Sequence, residues 1–477
     1  MNNKSLQDLV DGRYGRKIAY VDEEVVDGNN VLKVLGNTIG TFNLNKPVIK
    51  YLWDYKNGDQ PVLYRTKTVR DDIVNKVVEN HAWEIVRFKN GQTYGEPVQF
   101  ISLSKDETVN KAIDSLNDYF RAAGKRKKDI NSGEWTSAVG TGFKAIQNVK
   151  GDIPFRLVTP CPINTYIVYS SYTEEPLMAV QELKDSEGRF YYLCYTDNTE
   201  YKIQNGKIVS SQLHAFGGIP IVEYPNNQSR ISDIELVISM LDAINNMQSN
   251  RMDAIEQFVQ SWVKFVNCDI DEDTFQKMKM MGALVVKSNN GSENKADVDV
   301  MTQELSQSES QVAKQDLWDN VLSIEAIPNK EGNTGGGDTQ GAVALRNGWD
   351  FSKQAAKLKD AYIEDGDKQL ALLVLNRLRV VGEELPIKAF DFEAQISHSP
   401  QDNMMTKAET LQLLLQNGIH PLVAIRTAGL WADSEKVFLQ SQEYLDKKIY
   451  ETVENADEQI KRAEEMVNGQ AEQSTEA

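Results

Sequence analysis

Apolar positions change their spacing along the N-terminal half of the chain. Over Thr66 to Val86 they recur at Val69, Ile73, Val77 and Val78, and over Thr108 to Ala123 at Val109, Ile113, Leu116 and Phe120. That spacing predicts two amphipathic helices. From Phe155 the helical period stops. Phe155–Val158, Thr165–Tyr169, Leu177–Glu182, Phe190–Tyr195 and Glu200–Val209 are β-branched and aromatic runs, divided by Asp-Asn, Asn-Gly and Glu-Gly turn signals. They read as an antiparallel meander.

After Pro225-Asn226-Asn227 the texture becomes helical again. Ser232 is the candidate N-cap, with Asp233 and Glu235 placed to complement the positive end of the helix dipole. Apolar residues then recur as Ile234, Val237, Leu241, Ile244, Met252, Ile255, Phe258, Val259, Trp262 and Phe265. Unbroken by Pro or Gly, this predicts a rod of about nine turns, roughly 50 Å long at about 1.5 Å per residue. An acidic knot, Asp269 to Asp273, ends it. A short insert follows with a strand-like run, Ala283 to Lys287, and helix resumes from Thr302 to Ala326. Next come a glycine-rich loop over Pro328 to Gly341 and a second long helix, Ala342 to Val381, expected to be interrupted near Gly366. The C-terminal region is helical and acidic, and Asn468 to Ala477 has the composition of a disordered tail.

Composition narrows the function classes. The 477 residues carry 70 Asp+Glu against 52 Lys+Arg, a formal net charge of −18, so overall charge opposes nucleic-acid binding, which needs a basic face. Three cysteines, Cys161, Cys194 and Cys268, form no CxxC pair and no disulfide framework, which fits a reducing compartment. Residues Met1 to Tyr20 lack the apolar core of a signal peptide. The most apolar helical stretch, Leu370 to Val381, contains Asn376, Arg377 and Arg379, and falls short of the roughly 20 apolar residues of a membrane span. The chain is therefore expected to be cytosolic where it is made.

Enzyme signals are poor. Gly124-Lys125 and Gly206-Lys207 lack the earlier glycine of a P-loop. Gly140-Thr141-Gly142-Phe143-Lys144-Ala145 matches G-x-G-x-x-A, but no acid follows at the distance a dinucleotide site needs, so it reads as a turn beside a strand. Asp269 to Asp273 resembles the start of a calcium loop, yet Thr274 stands where glycine is required and Met280 where a bidentate Glu is required. His81, His214, His398 and His420 are scattered, so neither a zinc site nor a His-based triad is expected, and no cofactor is implied. The basic run Arg121, Lys125, Arg126, Lys127 and Lys128 reads as a solvated helix end.

What remains is an order of elements: long helix, small insert, helix, glycine loop, long helix. With it come Tyr51-Leu52-Trp53-Asp54-Tyr55-Lys56-Asn57-Gly58-Asp59-Gln60, Asn75 to Val86, Tyr94-Gly95-Glu96-Pro97-Val98, Val168-Tyr169, Glu175-Pro176-Leu177, Gly218-Ile219-Pro220-Ile221-Val222, Asp233-Ile234-Glu235, Leu241-Asp242-Ala243-Ile244-Asn245 and Gly341-Ala342-Val343-Ala344-Leu345. In this order the stretches resemble the portal proteins of tailed bacteriophages, specifically those of siphophages of Gram-positive hosts.

The resemblance implies an α+β portal fold. Its parts would be a mixed α/β wing over 1–231, a stem helix over 232–267, a small α/β clip over 268–301 and a second stem helix over 302–326. A tunnel loop over 327–341, a kinked wing helix and connection over 342–389, an α-helical crown over 390–470 and a disordered tail over 471–477 would follow. It also implies a ring of twelve copies at one capsid vertex, non-enzymatic, assembled in the host bacterial cytoplasm and resident in the virion. The ring would pass double-stranded DNA without sequence specificity and meet a terminase large subunit, a head-completion adaptor, and the major capsid and scaffolding proteins, with no membrane partner. Within that frame the tunnel-loop candidates are Lys330, Asn333, Thr334, Gly335, Gly336 and Gly337. Leu241, Ile255, Phe258, Trp262 and Phe265 are the candidate subunit-interface stripe of the stem, and Asp269, Asp271, Glu272 and Asp273 the candidate docking residues of the clip. The competing reading from composition is a cytosolic α+β enzyme using unidentified Asp/Glu chemistry.

Overall fold

A computed structural model describes residues 6, 14–68, 71–259, 262–266, 273, 276, 297–301, 307–329, 348–398, 404–431, 434 and 436–447. Strand β1 (Ala19–Val21) precedes helix α1 (Val31–Lys56), a 3-10 turn (Pro61–Tyr64) and helix α2 (His81–Tyr94). Strand β2 (Gln99–Ser102), α3 (Glu107–Ala122) and α4 (Lys125–Val139) follow. The β-rich run comprises β3 (Thr141–Asn148), β4 (Phe155–Val158), β5 (Thr165–Ser170), β6 (Pro176–Lys184), β7 (Phe190–Tyr195), β8 (Thr199–Gln204), β9 (Lys207–Leu213) and β10 (Ile221–Pro225). Helix α5 (Ile238–Val259), β11 (Trp262–Val266), β12 (Asp297–Met301), α6 (Gln307–Ile324) and α7 (Trp349–Val381) come next. The described chain ends with β13 (Phe392–Gln395), α8 (Met404–Gln416), α9 (Pro421–Ala428) and helical residues 436–447.

The chain divides into two compact units, one of residues 1–94 with 121–384 and one of residues 95–120 with 385–477. The expected wing region, 1–231, therefore draws on both units, because residues 95–120 belong with the C-terminal region. In that second unit β2 pairs antiparallel with β13, and Phe100 packs edge-on to Phe392 and beside Phe120. The apolar spacing on α3 is used as the sequence implies, with Ile113, Leu116 and Phe120 buried.

In the first unit the predicted meander is present. Six strands run in the order β1-β5-β6-β7-β8-β9, with β1 parallel to β5 and the remaining pairs antiparallel. Asn205-Gly206, both at positive φ, split the expected Glu200–Val209 strand into β8 and β9, as an Asn-Gly hairpin turn requires. The G-x-G-x-x-A stretch is a helix end followed by a strand, the reverse of a dinucleotide motif. Gly140 terminates α4 at φ 89°, where a Cβ would lie 1.9 Å from the Arg230 carbonyl oxygen, and β3 starts one residue later between β10 and β4.

Three sequence expectations are corrected. Residues 73–80 are extended rather than helical, and helix begins only at His81. The rod from Ser232 is shorter: residues 233–237 form turns, α5 spans Ile238–Val259, and Trp262–Val266 is a strand paired with Asp297–Met301. Trp-Val-Lys-Phe-Val is rich in β-branched and aromatic residues, so strand propensity wins there over the helical spacing. Finally, α7 is uninterrupted from Trp349 to Val381. Gly366 serves close packing, since a Cβ there would lie 2.6 Å from the Tyr224 ring.

Candidate channel helices and the charged clusters behind them

Helices α5 and α6 pack on each other, flanking the β11–β12 ladder. The first turns of the predicted stem are anchored within their own subunit. Ile234, Val237, Ile238 and Leu241 lie in one apolar core with Leu52, Tyr55, Ile85, Val86 and Val321. Leu241, one of the candidate subunit contacts, is covered here by its own chain. Ile255 is half-buried and Phe258 lies in the last turn of α5. Trp262 and Phe265 lie on β11 rather than on a helix.

The start of the helix pair is tied down by a capping arrangement. Ser232 Oγ accepts from the Ile234 N–H at 3.2 Å, and the Ser232 N–H donates to Glu235 at 3.1 Å. This is a reciprocal cap of the Ser-x-x-Glu kind. Glu235 also accepts from the Gly15 N–H at 3.0 Å and pairs with buried Arg16, so the cap joins the N-terminal segment to the base of α5.

Along α5 a polar stripe holds the extended segment. The Glu79 N–H donates to Asn245 Oδ1 at 2.8 Å, the Val77 N–H to Ser249 Oγ at 3.0 Å, and the Asn75 N–H to Asp253 Oδ1 at 2.6 Å. The geometry is commensurate: four helical residues rise about 6.0 Å and two extended residues about 6.6 Å. Asp253 further accepts from Arg65 at 2.6 Å and pairs with Lys67. One turn before this ladder, the Tyr55 hydroxyl donates to Asp242 at 2.9 Å, where burial pushes the Asp242 carboxyl up to about 6. Sequence reading missed the ladder. Its trace in the sequence is Asp242, Asn245, Ser249 and Asp253, small polar residues at spacings of three and four inside an otherwise apolar pattern.

Two charge clusters sit on α7, the first buried and the second partly buried. In the first, Lys125 Nζ lies 2.7 Å from Asp129 and 2.6 Å from Asp367, and Lys144 Nζ lies 2.7 Å from Asp367 and also contacts Asp129. The Tyr224 hydroxyl donates to Asp367 at 2.8 Å, and its ring lies 4.1 Å from Lys144 Nζ. Burial alone would raise the Asp367 carboxyl, but Lys125 and Lys144 outweigh it and hold the group far below the carboxylate range. Lys125 is thus buried, a correction to the solvated-end reading of the basic run, whereas Arg126 and Lys127 are exposed.

The second cluster joins Lys89 of α2, Asp233, Lys359 of α7 and Glu325, the residue after α6. Lys359 lies 3.3 Å from Asp233 and Lys89 lies 3.6 Å from the Glu325 carboxylate. Lys89 also donates to the Glu325 carbonyl. Ser137 and Asn226 donate to Asp233 at 2.5 and 2.7 Å. A cavity of about 450 Å³ borders Lys89, Asp233 and Lys359. Burial, reinforced by Asp233, pushes the Glu325 carboxyl up to about 8.

The tunnel-loop candidates Lys330, Asn333, Thr334, Gly335, Gly336 and Gly337 lie outside the described residues, as do Asp269, Asp271 and Glu272 and the strand-like run Ala283 to Lys287. Asp273 is exposed in helical backbone. Among the described residues no group of His, Cys, Asp and Glu could hold a metal ion, and no helix is long and apolar enough to cross a membrane. His214 is buried with its ring nitrogen 2.8 Å from the Thr196 carbonyl, and His420 caps α9, both structural roles.

Against known proteins, the family model described as "Phage portal protein, SPP1 Gp6-like" matches residues 37–472. No curated protein matches. Among solved structures, the virion of a native gene transfer agent particle contains a chain with 10% identity and a TM-score of 0.43, the match covering 74% of this chain and 90% of that one. A chain from the neck of the native particle, computed with C12 symmetry, matches at 12% identity with the same score and coverage.

Proposed function

Because the chain belongs to the SPP1 Gp6-like phage portal protein family, we propose that it forms a closed ring, of twelve subunits, at one capsid vertex, and that the genome enters and leaves through the ring. The observation that carries this reading is the family match over 37–472, within which α5, the β11–β12 ladder and α6 follow in the order of stem, clip and stem. The apolar side of the α5 start is covered by its own subunit, so contacts between copies fall to the later turns near Ile255 and Phe258 and to other faces.

The portal itself hydrolyses nothing in this proposal. A separate terminase supplies the energy and docks, like the head-completion adaptor, at the clip, with Asp269, Asp271, Glu272 and Asp273 as candidate contacts. The capsid and scaffolding proteins surround the ring, and the host is Gram-positive. The acidity of the chain fits passage rather than binding: twelve copies at −18 each carry −216. Repulsion screened over about 8 Å keeps DNA from adhering without barring its movement. Lys330, the one base between Ile327 and Leu345, is the candidate for transient phosphate contact.

Top-view electron microscopy of the purified protein, with rotational symmetry counted and mass measured by light scattering, tests the reading. The expected particle is a ring with a central hole and twelve times the 53.8 kDa mass of one chain. A monomer, dimer or tetramer without a hole would overturn it and favour the enzyme alternative.

A further inference from the structure

A cavity of about 850 Å³ opens in the first unit between one face of α7, the end of β10 and the turns before β6 and β8. Its floor combines the apolar Ile219 and Leu373, both buried, with Glu223, which is already paired with Arg230 at 2.9 Å. Its rim carries Glu174, Glu175, Asp197 and Asp365, all exposed, and no lysine, arginine or histidine lines it. Among the described residues none of these four carboxylates is in a salt bridge; Asp365 accepts only from Gln369 of its own helix, at 2.8 Å. Four exposed, unbridged acids spread over three elements around a partly apolar floor suit a broad basic surface with an apolar centre better than a small cation.

The same unit carries such a surface. Helix α4 begins with Lys125-Arg126-Lys127-Lys128, and its first turns divide by side. Lys125 and Asp129 turn inward to Asp367, while Lys127 is exposed and Ile130, one turn on, is 39% exposed. Lys127 and Ile130 share a face by their spacing of three. The groove and this knob lie on opposite sides of α7: Asp365 faces the groove and Asp367 faces Lys125, and two residues are about 200° apart around a helix. A chain thus cannot fill its own groove with its own knob. Complementary patches on opposite sides of one subunit make a heterologous, head-to-tail contact, the kind that closes rings.

We propose that the groove of one copy receives the start of α4 from the neighbouring copy, with Lys127 of the neighbour against Asp365 and the Glu174–Glu175 rim, and Ile130 against the apolar part of the floor. This rests on the ring reading above and names one of its contacts. Charge-swap variants of the full chain test it, with rings counted by electron microscopy and the concentration for half-assembly read by sedimentation. Lys127→Glu and Asp365→Lys should each raise that concentration at least tenfold, and the combined Lys127→Glu/Asp365→Lys variant should recover most of the loss. Both positions are exposed, so melting of the dissociated subunit should be unchanged, which separates lost assembly from lost folding. Wild-type rings together with unshifted single variants overturn this contact alone. Weakened single variants that the combination fails to rescue overturn the pairing. A wild-type chain that stays monomeric overturns the ring reading and this contact with it.

Discussion

Helix α7 holds two charge clusters about two turns apart, one buried and one partly buried, and they are built differently although each contains two lysines and two carboxylates. Around Asp367 the four groups alternate in a closed quartet, with Lys125–Asp129, Lys125–Asp367 and Lys144–Asp367 contacts of 2.6 to 2.7 Å, and a tyrosine completes the acceptor shell. Around Lys359 the pairs are 3.3 and 3.6 Å long and a cavity borders them. In the quartet each charge faces two opposite charges, and Lys125 and Lys144 hold the Asp367 carboxyl low against burial. In the open cluster Asp233 takes hydrogen bonds from Ser137 and Asn226, while at Glu325 burial and the like charge of Asp233 outweigh Lys89 at 3.6 Å and push its carboxyl up. The closed cluster clamps α4, β3, β10 and α7 together. The open one stands where α6 ends.

The clamp gives the largest expected effect. Asp367→Ala leaves Lys125 and Lys144 buried with one carboxylate between them and should cost about 3–5 kcal/mol, the range for breaking a buried ion pair from one side. Urea unfolding at fixed protein concentration measures it. A loss below about 1 kcal/mol would mean that the quartet is no more than a surface pair in energetic terms.

A third polar network sharpens the contrast because it is closed around backbone rather than around charge. Asp253 accepts from Arg65 and from the Asn75 backbone and side-chain amides. Asp253→Ala should cost about 1.5–3 kcal/mol, the value of hydrogen bonds to a charged group. It should also speed amide exchange at Asn75, Val77 and Glu79. Unchanged exchange there would mean that the extended segment is held by something other than α5.

These networks also mark where the fold could be read from the sequence. The meander over Phe155–Leu213 was legible because its strands are short, β-branched and punctuated by turn residues, signals that lie within each segment. The helix expected over Thr66–Val86 failed because Val69, Ile73 and Val77 have helical spacing, while the backbone donors of Asn75, Val77 and Glu79 find acceptors on α5, far away in the sequence. No local pattern contains that information. The same holds at Lys125, Lys144 and Asp367: a lysine in a basic run and an isolated Asp in a helix carry no mark of their partnership. The order of helix, insert and helix was visible, but Trp262 and Phe265 continued the helical spacing of α5 by coincidence, and pairing with Asp297–Met301 decided their state. Leu241 belonged to the apolar stripe as expected, yet only packing against Leu52, Tyr55 and Val321 reveals that the stripe is internal there.

The open cluster predicts a pH dependence of definite sign. Glu325 titrates near 8 in the folded chain against an ordinary value of 4.5, so between those values the folded state keeps a proton that the unfolded state has released. Stability contributed by this group is fully present below about pH 4.5, declines as pH rises, and is lost above about 8, with a slope of at most about 1.4 kcal/mol per unit for one proton. Lys89, Lys359 and Asp233 are the charged groups that face it. Asp233, whose carboxyl Lys359 and Lys89 hold low against the opposing effect of burial, contributes with the opposite sign, and only at acid pH. Glu325→Gln should flatten the decline between pH 5 and 8 in thermal melts while leaving the acid limb in place. A variant whose melting temperature falls with pH as steeply as the wild type would assign the slope elsewhere.

The smallest effect tests whether closure or burial makes the quartet strong. In the second unit Lys436 Nζ reaches both oxygens of Asp114 at 2.7 and 2.8 Å, contacts as short as those of the quartet, but the two side chains are 46% and 54% exposed. Water competes for every bond in that pair and salt screens it, so Asp114→Ala should change stability by less than about 0.5 kcal/mol, and less still at about 1 M salt. If it cost as much as Asp367→Ala, distance alone would set the strength of these pairs. The expected difference of several kcal/mol assigns that strength instead to the penalty of leaving a lysine unpaired in the interior, a penalty that exists at Lys144 and not at Lys436.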